Sequence, residues 1–251
     1  MYQHDVVRHA ARTGAALVLL ASPTVWAPAM AESDPPPRSL PGPALVETTD
    51  PAPVELRVGP HRFRIPRSYF RHPPPPSGVG TGFYLRALLP GMEPITEANR
   101  RVFRMPLSTE EGRRVVGLVF LVMPDRPRDD ARWRMDNRLR RRGGATLDDF
   151  EPASGATHGL RGPPIGDAGW RENDLYWGEL PGGRFVGLSC FSRPDDRPTD
   201  CKLNVDWRGR TVDVSHERRP LPRWREIAEA ALALMDRLSV GDEGGSNAAE
   251  R

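Results

Sequence analysis

The chain has 251 residues, 38% of them hydrophobic and 27% charged, an ordinary globular composition that leaves room for one large domain or two small ones. Its net charge of +3 is too small a surplus to mark a polyanion binder. Lys202 is the sole lysine, so the arginine content is a uniform bias rather than a localised phosphate site.

Residues 1–31 read as a secretory signal. Arg8 and Arg12 give a positive start, "TGAALVLLAS" is a short apolar run, and Ala29-Met30-Ala31 is a small-x-small cleavage site, so cleavage is expected after Ala31. Pro23 and Pro28 interrupt the run, and about 20 continuous apolar residues are needed to span a bilayer, so an anchor is disfavoured. No cysteine follows the cleavage site to take a lipid, and there is no twin-arginine pair. Removing Asp5, Arg8 and Arg12 takes +1 from +3 and leaves +2.

The 28 prolines cluster in 23–53, 73–76 and 194–222, each expected as extended chain or turn. Residues 32–53 are polar and proline-rich, with too few apolar side chains to offset ordering, and read as a flexible leader. "VELRVGPHRFRI" alternates through Val54, Leu56, Val58, Phe63 and Ile65 around Gly59-Pro60, which predicts a hairpin. "GVGTG" at 78–82 follows four prolines and enters a strand. A dinucleotide loop must instead leave a strand and open a helix, so a hinge is expected here. "GFYLRALL" (82–89) and "RRVVGLVFLVM" (113–123) predict buried strands.

Residues 129–142 fit a helix with Asp129 and Asp130 at its start, arginines at its end, and a thin apolar stripe of Trp133, Met135 and Leu139. Residues 143–172 are glycine-rich and irregular. "NDLYWGEL" (173–180), "RFVGLSCFS" (184–192), "CKLNVDW" (201–207) and "TVDVSHE" (211–217) follow in close order and predict an antiparallel meander. Trp170, Tyr176, Trp177 and Trp207 in or beside these strands are expected in the core. The last element is a helix from Pro222, with Trp224, Ile227, Ala231, Leu234 and Leu238 on one face and Gly241 as its stop. Residues 241–251 read as a disordered tail.

Cys190 and Cys201 are the only cysteines. A zinc site wants four ligands, often in close pairs, and a redox pair is usually C-x-x-C. In an exported chain, two cysteines at adjacent strand ends fit a structural disulfide instead. The enclosed loop carries Asp195 and Asp196, with Asp200 at its end, in a spacing that is not an EF-hand's. They read as a solvated turn or a partner contact. "GLSCF" lacks the second glycine of a nucleophile elbow. After signal removal the histidines are His61, His72, His158 and His216, with no metal-binding spacing. Arg138 to Arg142 is the densest basic run, expected as a solvated helix end, with Arg140, Arg141 and Arg142 the candidates for an anionic surface.

"LYWGEL", "FVGLSC", the second cysteine before "LNVDW", the terminal "LPRWREIAEAALALMDRL" and the early "HRFRIPRSYF" resemble a recurring type of small proteobacterial periplasmic protein of uncharacterised function. Some proteins of that type are encoded near contact-dependent or type VI toxin systems, so the resemblance implies an immunity protein. Its motifs are structural and imply no site residues.

The expectation is therefore an α+β domain over residues 54–240, a mainly antiparallel β-sheet packed against a C-terminal α-helix, with one hairpin stapled by Cys190–Cys201. No cofactor, no nucleic acid and no transmembrane segment after signal removal are expected; the oligomeric state is not legible. The expected function is a periplasmic or secreted, non-enzymatic protein-binding protein, with a toxin or an envelope protein as partner. Two alternatives stand beside it: an envelope hydrolase using Ser154 and His158, and a structural envelope factor holding an anionic surface through Arg140–Arg142.

Overall fold

The computed structural model describes residues 47–122, 129–143, 146–149, 157–162, 173–191, 200–217 and 220–242. The first hairpin forms as its alternation dictates. Strands β1 (Pro53–Val58) and β2 (His61–Pro66) pair antiparallel from Val58↔His61 outward. Gly59, at φ 58°, takes the first position of the two-residue loop, where a positive φ is required. Leu56, Val58, Phe63 and Ile65 are buried while Arg57, Arg62 and Arg64 face solvent.

The stretch expected as a hinge is ordered differently. Val79–Gly80 forms a short strand, β3, parallel to β1, with Gly78 turning into it at φ 67°. The peptide N–H of Arg57 donates to the Gly78 carbonyl at 2.8 Å, so the backbone groups that a hinge would leave to water are partly used by a neighbouring strand.

A six-stranded antiparallel sheet forms the body of the fold. It contains β4 (Gly82–Leu88), β5 (Val115–Leu121), β6 (Asn173–Leu180), β7 (Arg184–Phe191), β8 (Asp200–Trp207) and β9 (Arg210–Glu217), in the order β4-β5-β9-β8-β7-β6. The meander from β6 to β9 matches the sequence reading. Between β5 and β6 lies helix α1 (Ala131–Gly143). After β9, a 3-10 turn at Leu221–Arg223 contains Pro222 and leads into helix α2 (Trp224–Leu238). This helix stops at Leu238, not at Gly241. Ser239–Asp242 instead becomes strand β10, paired with β2, and Gly241 sits in it at φ 118° beside a register shift. The smaller sheet thus runs β10-β2-β1-β3.

Period-two alternation gives the large sheet two different faces. On one, Phe83, Leu85, Val116, Leu118, Phe120, Val186, Leu188, Leu203, Val205, Val212 and Val214 are buried against the smaller sheet and α2. Phe63 of the smaller sheet meets Phe83 edge-on at 5.0 Å and Phe120 at 5.4 Å, and lies 5.6 Å from Trp207. The five residues expected on the inner face of α2 are all buried. Trp224 reaches β6 because Gly178 has no side chain; a Cβ there would stand 2.8 Å from the indole. Tyr176, Trp177 and Trp207 are buried as expected, and Trp170 lies outside the described residues.

Cys190 and Cys201 form the expected disulfide, as directly opposed partners of β7 and β8 with Cα atoms 4.0 Å apart. It lies on the apolar face. Cross-linking ends 11 residues apart removes denatured-state freedom equivalent to about 3 kcal/mol. Among the described residues no helix is long and apolar enough to cross a membrane.

Candidate functional site

The second face of the large sheet is divided. Over β6, β7 and β8 it is covered by α1, whose buried stripe is Ala131, Met135 and Leu139. The sequence reading had put Trp133 in that stripe; it is only half-buried. The helix presents charge to the sheet beside its narrow apolar row. Arg134 holds both oxygens of Asp129 at 2.6 Å and reaches Asp213 of β9 at 2.6 Å. Asn204 donates to the same Asp213 oxygen at 2.6 Å and accepts from Arg138 at 2.8 Å. Asp206 receives the N–H of Ala131 at 2.6 Å and so caps the helix. Burial opposes the charge on Arg134, but its hydrogen bonds to Asp129 and the nearby carboxylates outweigh that and raise its pKa. Burial raises the pKa of Asp206, against the Ala131 hydrogen bond.

Over β4, β5 and β9 the same face is open, and there a cleft of about 410 Å³ is found. Its floor is set by glycine: a Cβ on Gly117 of β5 would stand 2.6 Å from the Tyr84 hydroxyl, so Tyr84 of β4 lies across the sheet only because that position is bare. Arg71 stacks over the Tyr84 ring at 4.8 Å and donates to its hydroxyl at 2.5 Å. Arg86 stacks 5.2 Å from the Phe103 ring and donates to the Phe103 carbonyl at 2.5 Å. Phe103 belongs to the 3-10 turn Val102–Arg104, seated by a small cluster of Leu88, Ile95 and Phe103. Leu107, 39% exposed, adds an apolar patch at the rim.

Glu47 enters this cleft from the chain's N-terminal side. It accepts from Arg104 at 2.7 Å and lies 3.6 Å from Arg86. Residues 49–52, at the end of the stretch expected as a flexible leader, are tied down here. Ser68 and Arg67 donate to the carbonyls of Asp50 and Ala52 at 3.0 Å, and Thr49 donates to Glu97 at 2.5 Å. The Arg104 hydrogen bond holds Glu47 below the usual glutamate range, against some burial and with help from the charges of Arg104, Arg86 and Arg100. Burial pulls the Arg86 pKa down; Glu47 works against that and Arg71 with it. Across the cleft, buried Glu217 faces Arg113 at 3.5 Å.

Ser215 and His216 of β9 both border the cleft, but alternation turns the His216 side chain toward the apolar face of the strand, where it is buried. His216 Nδ1 lies 2.6 Å from the Glu217 carbonyl, so it carries the proton, and Nε2 is buried with no partner among the described residues. Burial lowers the His216 pKa, against the Glu217 carbonyl and the Asp200 charge.

The residues singled out from sequence are not brought together. Asp195 and Asp196 lie outside the described residues, while Asp200 is exposed at the start of β8, at the edge of the cleft. Arg140 and Arg141 are exposed on the last turn of α1, and the side chain of Arg142 lies outside the described residues. His158 is exposed at φ 57°, its carbonyl accepting from the Trp224 indole at 3.1 Å; Ser154 lies outside the described residues. Among the described residues no group of three or more His, Cys, Asp or Glu side chains is placed to hold a metal ion.

No protein-family model matches the chain, and no curated protein matches it in sequence. Two solved structures match the chain in comparison. One is Smlt3025, an immunity protein of the Stenotrophomonas maltophilia type IV secretion system, at 20% identity and a TM-score of 0.51, over 76% of this chain and 94% of that one. At that identity the likeness shows a shared fold. The other is the Neisseria meningitidis iron-regulated outer membrane lipoprotein FrpD, at 10% identity over 77% of this chain and 96% of that one, with a TM-score of 0.40, too distant to carry an argument.

Proposed function

We propose that this chain is an exported, non-enzymatic binding protein that neutralises a protein toxin in the periplasm, gripping it at the cleft on the open half of the large sheet. The observation that carries the reading is the make-up of that cleft. Stacked arginines, an aromatic floor and an exposed leucine at the rim combine charge with apolar surface in the way that receives protein side chains. The fold shared with an immunity protein supports it, although that protein serves a type IV system where the sequence resemblance had suggested contact-dependent or type VI systems. The Cys190–Cys201 disulfide fits an oxidising compartment. The His216 side chain is buried and alternates with Ser215 along β9, which weighs against the two acting together as base and nucleophile at this cleft.

The test is to sequence the genes beside this one and co-express the chain with a toxin encoded there. A stoichiometric complex on size exclusion and rescue of growth are expected; neither complex nor rescue would overturn the reading. Mass spectrometry of the natively purified chain checks the compartment. It should show Glu32 as the first residue and no alkylatable thiol, whereas an intact Met1 with two reactive cysteines would remove the premise of export.

A further inference from the structure

We propose that Arg71 and Arg86 form the receiving site for an acidic side chain of the partner protein, and that Glu47 of this same chain occupies part of that site until the partner arrives. This deepens the protein-binding reading and rests on it.

The two guanidinium groups are held in place before any partner binds. Arg71 is fixed on the Tyr84 ring and hydroxyl, and Arg86 on the Phe103 ring and carbonyl. Among the described residues Arg71 has no carboxylate partner. Arg86 has only Glu47 at 3.6 Å, longer than a charge-assisted hydrogen bond, although its side chain is 17% exposed. A cation so far out of water favours a closely bonded carboxylate, and guanidinium is shaped to take one with two parallel bonds. Glu47 does not supply that geometry to Arg86, because its short bond goes to Arg104, whose side chain is 57% exposed. Exposed pairs of this kind contribute little and exchange readily. Of the other described acids at the cleft, Glu217 faces Arg113 and Asp200 is exposed at the rim. The cleft is therefore cationic on its β4 side, with Leu107 beside it. The chemistry it fits is an aspartate or glutamate with an apolar neighbour, presented by a protein. Glu47 shows the chemistry in the chain itself: a carboxylate already lies against Arg86.

The test is an NMR titration of the full oxidised, 15N-labelled chain with the capped peptide acetyl-Ala-Glu-Leu-Ala-amide, its glutamine counterpart and succinate. The glutamate peptide should shift the amides of Tyr84, Arg86 and Gly117 and bind at least about tenfold more tightly than the glutamine peptide. Glu47→Gln should tighten glutamate-peptide binding by about two- to fivefold by removing the competitor. Arg71→Gln should weaken it by about tenfold with the melting temperature unchanged. Equal binding of the two peptides would overturn the carboxylate site. No response to Glu47→Gln would overturn the placeholder, and tighter binding of succinate than of the peptide would overturn the protein partner. A toxin complex whose affinity is unaltered by Arg71→Gln would overturn this assignment while leaving the protein-binding reading in place. Peptide selectivity without any toxin complex would do the reverse.

Discussion

The two halves of one sheet face solve opposite problems. Over β6–β8, α1 closes the face, and the charges beneath it are tied to one another: Arg134 to Asp129 and Asp213, and Arg138 through Asn204. Over β4, β5 and β9 no α-helix lies among the described residues, and Arg71 and Arg86 are held by aromatic rings, a hydroxyl and a backbone carbonyl, with Arg71 lacking a carboxylate among those residues. In the first half polar groups fix a helix on a sheet. In the second, Arg71 and Arg86 are fixed without a closely bonded carboxylate among the described residues. Satisfied polar networks report architecture; a preorganised group without its natural counterpart points to what must come from outside.

The strongest way to break this contrast is to combine Asp129→Ala with Asp213→Ala. Together they strand the largely buried Arg134 and should cost about 3–5 kcal/mol in urea unfolding, with α1 loosened first. A loss under about 1 kcal/mol would mean that α1 is held by Met135 and Leu139 alone. Reducing the Cys190–Cys201 bond, which joins the two strands beneath α1, should cost about 3 kcal/mol in the same assay. On the open side, Gly117→Ala forces Tyr84 off the sheet. Because the ring can swing into the cleft, the cost should be about 1 kcal/mol, at the low end for overpacking, while the peptide response of Arg71 is lost.

The smallest effects are in pH. Asp206, raised by burial, holds its proton longer folded than unfolded. Its ionisation therefore subtracts stability as pH rises from the ordinary aspartate range through its raised folded value. Glu47, lowered by the Arg104 hydrogen bond, contributes stability above the ordinary glutamate range and loses it as pH falls through its depressed folded value. Carboxyl 13C titrations should show these opposite displacements. In 1 M salt Glu47 should move back toward its ordinary value while Asp206 stays displaced, since salt screens charges and not desolvation.

Most of the fold was legible because alternation and helical spacing record burial directly: β6 occupies the expected residues, and α2 buries the expected face. Beyond strands β3 and β10, two features of the second sheet face were not legible. The stripe of α1 was misread because half of its inward surface is Arg134 and Arg138, and a charge that finds its carboxylate across a sheet leaves no hydrophobic period. The cleft was missed because it gathers Glu47, Arg71, Arg86 and Phe103 from segments far apart in sequence, and a uniform arginine bias hides which arginines matter. One signal was available. In "GFYLRALL", Tyr84 and Arg86 alternate with Phe83, Leu85 and Ala87, which marks a strand whose second face is wet and not the fully buried strand expected.

The position of Glu47 also bears on how the molecule can be handled. It is the first described residue and it lines the cleft, so an affinity tag or fluorophore joined just ahead of it would hang at the mouth and could mask recognition. The other end of the described chain, β10, belongs to the small sheet packed on the opposite side of the large one. Tethering to a sensor chip through that end would leave the arginines facing the analyte.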